Sequence, residues 1–385
     1  MNRIGLVAGE ASGDLIAAQA LSHLSQQRAV QYMGVGGPAL QAAGLDCWAP
    51  SDRLAVRGYV EVLAHLPGLL RLRQQLAQRF GQSHLDLFLG VDAPDFNLGL
   101  AGRLRRRGVK TAHLVSPSIW AWRADRLSTI EQAVDTMLCL FPHEPALYAH
   151  TRTRAVFVGH PLADRIPPKV DRQAARQSLG LSNEQPVLAV LPGSRVSEIA
   201  ALGERFLSAA IQMRTSHQVV IPAASSLISQ QIQVLPSWAK AQEKGVVLLD
   251  PNKSGGSGQS RWSVSDQAMQ AADLGLLASG TATLEAALYR LPMVIAYRVP
   301  ALTYWLMRRK ALVRRIGLPN LLLQRDLVPE LIQDACAPDP LVRALWALAD
   351  NEVLQRQMRE AFADLHGQLA QGCAHRVANA LGDLL

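Results

Sequence analysis

Short apolar runs of strand length recur along most of the chain, each followed by a turn rich in glycine, proline or acid and then by a helical stretch. Ile4-Gly5-Leu6-Val7-Ala8 predicts the first strand, Gly9-Glu10-Ala11-Ser12-Gly13-Asp14 its turn, and Leu15 to Leu24 the helix after it. Gln31 to Val35, Leu85 to Val91, Thr111 to Val115, Thr136 to Phe141 and Ala155 to Val158 continue the series. Runs that are apolar on both faces suit strands covered by helices on either side, so repeated βα units predict a doubly wound parallel sheet. The three prolines between Pro161 and Pro168 interrupt this rhythm and predict a domain boundary. A second series follows with Val187 to Leu191, Gln218 to Pro222, Val246 to Leu249, Leu274 to Ala278 and Met293 to Tyr297. Lys253 to Ser260 reads as a Gly/Ser-rich surface insertion, and from Pro340 onward the pattern is helical without a strand. The fold class expected is α/β, with two Rossmann-like doubly wound domains facing a cleft.

Composition agrees with this architecture. A chain of 385 residues with 49% hydrophobic positions exceeds one ordinary core and is not disordered. Cys47, Cys139, Cys336 and Cys373 lie far apart with no CxxC, which supports neither a zinc site nor a disulfide framework and fits a reducing compartment. Glu10 and Asp14 interrupt the N-terminal apolar run, so it does not read as a signal peptide, and no apolar stretch is long enough to span a bilayer. The expected location is cytoplasmic. The net charge of +8 gathers in Leu69 to Arg79, Arg103 to Lys110 and Arg308 to Arg315. Arg103 to Lys110 reads as a solvated helix end. The third segment follows Tyr304-Trp305-Leu306-Met307; with no RNA-binding module or zinc finger beside it, a membrane surface suits this mixture better than nucleic acid.

Ligands of open α/β sheets bind beyond the carboxyl ends of the strands, and four segments put polar or glycine residues there. Ser279-Gly280-Thr281 opens a helix carrying Glu285; its amides can grip phosphate and Glu285 can take ribose hydroxyls, or Ser279 or Thr281 is a plain N-cap with Glu285 a helix carboxylate. Pro192-Gly193-Ser194-Arg195 offers a guanidinium suited to a diphosphate, or is a simple turn with a surface arginine. Gly90-Val91-Asp92-Ala93-Pro94-Asp95 places two carboxylates at a strand end. Either could be a general base for a sugar hydroxyl, or both stabilise a helix N-terminus, the reading that suits Asp95 better. Gly9-Glu10-Ala11-Ser12-Gly13-Asp14 lacks GxGxxG spacing, yet such a turn can contact an acceptor's phosphate or hydroxyls.

Together with Val115-Ser116-Pro117-Ser118-Ile119-Trp120-Ala121-Trp122-Arg123, Phe157-Val158-Gly159-His160-Pro161 and Leu318-Pro319-Asn320-Leu321-Leu322, these segments form seven ordered motifs over nearly the whole chain. In them the chain resembles the lipid-A-disaccharide synthases, family-19 glycosyltransferases of the two-Rossmann (GT-B) type. The resemblance implies an inverting transfer from UDP-2,3-diacylglucosamine to 2,3-diacylglucosamine 1-phosphate (lipid X), releasing UDP. It implies Asp92 as base and Arg195 and Asn320 as residues important for activity. Ser194, Arg195, Ser279, Gly280, Thr281 and Glu285 would hold the UDP donor, and Glu10, Ser12, Gly13 and Asp95 would lie on the acceptor side, with no metal and no cofactor. It implies residues 1–165 as an acceptor and membrane-facing domain, 166–345 as the donor domain, and 346–385 as helices crossing back to the N-terminal domain. That tail can be exchanged in a homodimer. Acylated substrates place the enzyme peripherally on the inner face of the inner membrane. Val56 to Arg79, with Val60, Val62, Leu63, Leu66, Leu69, Leu70 and Leu72, is then a docking patch or an ordinary core-facing amphipathic helix. Gly317 departs from the family's usual serine. Rival readings are a UDP-N-acetylglucosamine 2-epimerase, the lipid II glycosyltransferase, or a two-lobed periplasmic-type binding protein. The apolar-basic segment argues against the epimerase, and the lack of a signal peptide against the binding protein.

Overall fold

The computed structural model describes residues 1–54, 59–119, 126–252, 262–301, 303–305 and 315–385. The expectations for Trp120 to Arg123, for Lys253 to Ser260 and for most of Arg308 to Arg315 fall outside these residues, as do Val56 and the side chains of Val60, Val62 and Leu63. The chain divides into two compact units, Met1–Asp164 with Gln368–Leu385, and Arg165–Gly367. The segment that returns to the first unit is therefore Gln368–Leu385, and residues 346–367 group with the second.

The first unit carries seven parallel strands: β1 (Asn2–Ala8), β2 (Val30–Gly36), β3 (Leu45–Pro50), β4 (Leu87–Val91), β5 (Lys110–Leu114), β6 (Thr136–Cys139) and β7 (Arg154–Phe157). Their order is β3-β2-β1-β4-β5-β6-β7, so the winding reverses between β1 and β4. Alternate residues of one strand feed two cores. Ile4, Leu6 and Ala8 join the helix α1 (Ala11–Gln27), whereas Val7 joins α3 (Tyr59–Gln82) and α4 (Pro94–Arg105) through Leu72, Phe80, Leu98 and Leu104. Burial on both faces is why these strands read as unbroken apolar runs.

The second unit repeats the plan with β8 (Val187–Leu191), β9 (Gln218–Pro222), β10 (Val247–Leu249), β11 (Leu274–Ala278), β12 (Met293–Tyr297) and β13 (Glu330–Ile332). Its order is β10-β9-β8-β11-β12-β13, with the reversal between β8 and β11. The edge strands β3 and β13 are absent from the apolar-run pattern. Both are only partly buried, so neither needs a continuous apolar sequence.

The C-terminal helix Cys373–Gly382 packs on α1, burying Cys373, Val377 and Leu381 completely or nearly so. Burying Val377 and Leu381 contributes roughly 1.5–3 kcal/mol each. Its N-terminus is held by the Asp164 carboxylate, which accepts from the amides of Gly372 at 2.9 Å and Cys373 at 2.6 Å. The Gly159-His160-Pro161 motif contributes to the same docking, because the His160 amide donates to the Leu369 carbonyl at 2.9 Å. The basic stretch after Arg103 is more than a solvated helix end: Arg105 donates to the Glu131 carbonyl at 2.6 Å and Arg107 to the Ala77 carbonyl at 2.8 Å.

Asp14, treated above only as part of a turn, is a buried structural acid. Its carboxylate accepts from Gly37 at 2.6 Å and Ala39 at 2.9 Å, satisfying the N-terminus of α2 (Pro38–Ala42). Asp14→Ala is expected to cost about 1–3 kcal/mol, read as a lower midpoint of chemical unfolding. An unchanged midpoint would refute that role.

Candidate active site

Each unit presents a candidate site at the point where its strand order reverses, and the four loops that the sequence singles out fall at these two points. In the first unit, Ala8 of β1 is the register partner of Val91 of β4, so the Gly9–Gly13 turn and the Asp92 turn leave the sheet side by side. The contact between them requires glycine. A Cβ on Gly9 would lie 2.5 Å from the Ala93 Cβ, and one on Gly13 would lie 2.9 Å from Val91 and 3.9 Å from the Asp92 Cβ.

Asp92 is half-buried, and its backbone is left-handed with φ 51°, as is that of Ala93 with φ 41°. Two successive non-glycine residues in this region store strain that surrounding contacts must hold. Asn97 supplies that hold. Its buried amide donates to the carbonyls of Asp92 at 2.8 Å, Val7 at 3.2 Å and Val91 at 3.3 Å, tying the turn to both strands. Sequence reading gave Asn97 no role, although its place one turn into α4 was a usable signal. Glu10 is the N-cap position of α1 and is partly exposed, Ser12 is exposed, and Gly13 is buried in the first turn. Asp95 points away to an ion pair with Arg126 and is 84% exposed. The two carboxylates thus differ in setting, Asp92 half-buried and Asp95 exposed and paired.

In the second unit, Leu191 of β8 pairs in register with Leu277 of β11, which sets Pro192-Gly193-Ser194-Arg195 beside Ser279-Gly280. The N-cap of the helix Thr281–Leu288 is Gly280, with no side-chain cap. Ser279 is not the cap either: its hydroxyl donates to the Ile316 carbonyl at 2.9 Å. Thr281 is exposed in the first turn, and no atom of the described residues lies within 4 Å of where a Gly280 Cβ would be. The plain-cap reading is therefore removed, leaving amides and a positive dipole end beside open space.

The Arg195 side chain is 62% exposed and lies 3.5 Å from Glu198. Glu198 also accepts from the amides of Ser194 at 2.8 Å and Arg195 at 3.2 Å, and Gly193 (φ +135°) leaves no room for a Cβ against it. Any anion taking these donors must compete with Glu198, which the sequence did not reveal.

Asn320 is buried, and its side-chain amide is engaged by neighbouring residues of the second unit. Its amide donates to the Val328 carbonyl and to Glu330, both at 2.8 Å, and its oxygen accepts from Leu327 at 2.9 Å and Val328 at 2.8 Å. Glu330 in turn accepts from the amides of Ile316 at 2.9 Å and Gly317 at 3.0 Å. Asn320 is thus linked to the Ser279 loop through Glu330, Ile316 and the Ser279 hydroxyl. At Gly317 a Cβ would lie 2.5 Å from the end of the Ile295 side chain, which would have to shift for a larger residue.

Glu285 is partly buried, and burial followed by the nearby Asp266 carboxylate pushes its pKa up to about 7, against the pull of Arg165. The α3 segment is divided. Leu72, Leu76 and Phe80 are core, whereas Leu66 and Leu70 are exposed beside exposed Arg71, and Arg79 lies over the Trp48 ring. No helix among the described residues is long and apolar enough to cross a membrane.

The whole chain is similar in fold to CalG4, the calicheamicin glycosyltransferase, with TM-score 0.60, 16% identity, and coverage of 100% of this chain and 98% of that one. It is likewise similar to MnaA of S. aureus solved with UDP, with TM-score 0.64, 14% identity and the same coverages. Two doubly wound sheets with ligand-type loops at their reversal points are the architecture of GT-B glycosyltransferases. The lipid-A-disaccharide synthase of Chromohalobacter salexigens is 46% identical over 387 residues, covering 100% of this chain and 97% of its own length. The profile of the lipid-A-disaccharide synthetase family matches residues 4–380, and the chain belongs to that family.

Proposed function

We propose that the chain transfers the sugar of UDP-2,3-diacylglucosamine to the 6-hydroxyl of 2,3-diacylglucosamine 1-phosphate. A β-1,6-linked disaccharide 1-phosphate forms, and UDP and a proton are released. The observation that carries this reading is the placement of one half-buried carboxylate, Asp92, at the reversal point of the first sheet and an uncapped helix N-terminus at that of the second. Asp92 takes the proton of the acceptor hydroxyl as the new C–O bond forms at the anomeric carbon and the bond to UDP breaks on the opposite face. Arg195, the Ser194 amide and the Gly280-Thr281 helix start receive the leaving diphosphate, displacing Glu198 from its amides, and Glu285 takes the ribose hydroxyls. Glu10, Ser12 and Gly13 line the acceptor side. Asp95, turned to Arg126, orders the start of α4 instead.

Exposed Leu66 and Leu70 beside Arg71 support peripheral docking on the inner face of the inner membrane. The C-terminal helix packs on α1 of its own chain, and an exchanged homodimer would make the same contacts between copies. The test is incubation of the protein with the two acylated substrates on anionic vesicles, followed by mass spectrometry. The expected products are the disaccharide 1-phosphate and UDP, with vesicle binding that weakens at high salt. A folded protein that yields no disaccharide would overturn the reading.

A further inference from the structure

Beside Glu285, the second unit contains charged and polar groups that the proposed transfer does not use. Their centre is Arg165, the first residue of that unit. The guanidinium forks onto Asp266 at 2.9 and 3.0 Å, and one of the same nitrogens lies 3.8 Å from Glu285. Asp266 belongs to the helix Val264–Ala271 and is 2% exposed. It also accepts from the Tyr289 hydroxyl at 2.8 Å and from the Ser263 hydroxyl at 2.9 Å and amide at 3.0 Å. Arg165 further lies over the Trp262 ring at 5.8 Å.

These contacts make Arg165 rigid. Bidentate pairing fixes the plane of a guanidinium, and a buried carboxylate with five donors cannot turn away from it. Among the described residues, the charged or titratable groups facing Glu285 are Arg165, Asp266 from the neighbouring helix, and Tyr289, which caps the end of its own helix. One cation is shared between two carboxylates, and the shorter contacts go to Asp266. Glu285 therefore keeps only part of that positive charge.

We propose that Arg165, locked by Asp266, is a positioning residue for nucleotide binding, holding the Glu285 carboxylate in place and favouring its ionised form for a vicinal diol. This inference rests on the reading of Glu285 as the ribose grip. Two hydroxyl donors stabilise the carboxylate over the acid, so nucleotide binding at pH below about 7 releases a proton. Because the ligand prefers ionised Glu285, affinity is full above the free-state pKa and falls as pH drops through it.

The test is calorimetric titration with UDP from about pH 5.5 to about pH 9 for the natural protein, Arg165→Met, Arg165→Lys and Glu285→Gln. The natural protein should lose UDP affinity as pH falls below about 7. Arg165→Met should move that loss to higher pH, binding UDP about tenfold more weakly near pH 7 and recovering near pH 9. Arg165→Lys keeps the charge without the fork, so its curve should lie between the two. It also decides the matter if Arg165→Met fails to fold. A pH curve in the arginine variants that matches the natural protein, or one weakened equally at every pH, would overturn the inference while a weak, flat Glu285→Gln curve leaves the ribose grip standing. Natural affinity in Glu285→Gln would instead sink the ribose reading itself.

Discussion

Asp92→Asn is expected to lower kcat about a thousandfold while leaving UDP affinity within about twofold of the natural protein. The size follows from the role: positioned proton transfer contributes about 10²–10⁴ to a rate. The amide is close in volume to the carboxylate but cannot accept the acceptor's proton. Asparagine is also the substitution that isolates chemistry from backbone. Residue 92 has φ 51°, a conformation asparagine adopts at lower cost than alanine, so Asp92→Ala would add roughly 1–2 kcal/mol of local strain to the loss of the base. The UDP contacts assigned here lie in the second unit, which is why donor affinity is expected to persist. A kcat within about tenfold of the natural value would remove Asp92 from the chemistry.

The second large effect is expected on stability. Asn320→Ala leaves the amides of Leu327 and Val328, the Val328 carbonyl and one oxygen of Glu330 without their side-chain partner. Buried polar groups left in this way cost about 1–3 kcal/mol each, and relaxation recovers part of the sum. We expect a net loss of about 3–5 kcal/mol, seen as a fall of roughly 10 °C in Tm. Activity should fall as well, through KM for the donor more than through kcat, because Ile316 no longer anchors the Ser279 hydroxyl. Asn320→Asp keeps the acceptor but loses the donor and faces Glu330 with a second charge, so it should be destabilised too. A stable Asn320→Ala protein with unchanged donor KM would show that the network does not position the loop.

Family-scale resemblance singles out Asn320 but does not say what it touches. The contacts that decide its role come from residues 316 to 330, and they form only when the helix Leu318–Leu323 is seated beside β13. The β13 strand itself was invisible in the pattern, since three partly buried residues at a sheet edge carry no apolar run. Nothing in the local sequence therefore marks Glu330. Arg165 and Asp266 were hidden for a related reason: they are far apart in the chain, and each alone is a common residue in a common place.

Local chemistry, by contrast, was legible. An apolar run of strand length ending in Gly-Ser-Arg or in Val-Asp-Ala-Pro is a feature of consecutive residues, and its meaning survives folding. Sequence by itself therefore determined the two βα series, the family, and the four loops at the strand ends. Tertiary structure decided which loops adjoin, because strand order brings β1 beside β4 and β8 beside β11 across long stretches of chain. It also separated Asp92 from Asp95, emptied the supposed cap at Ser279, and turned Asn320 inward. Each of these depends on burial and on partners distant in sequence, and the period of hydrophobic residues records neither.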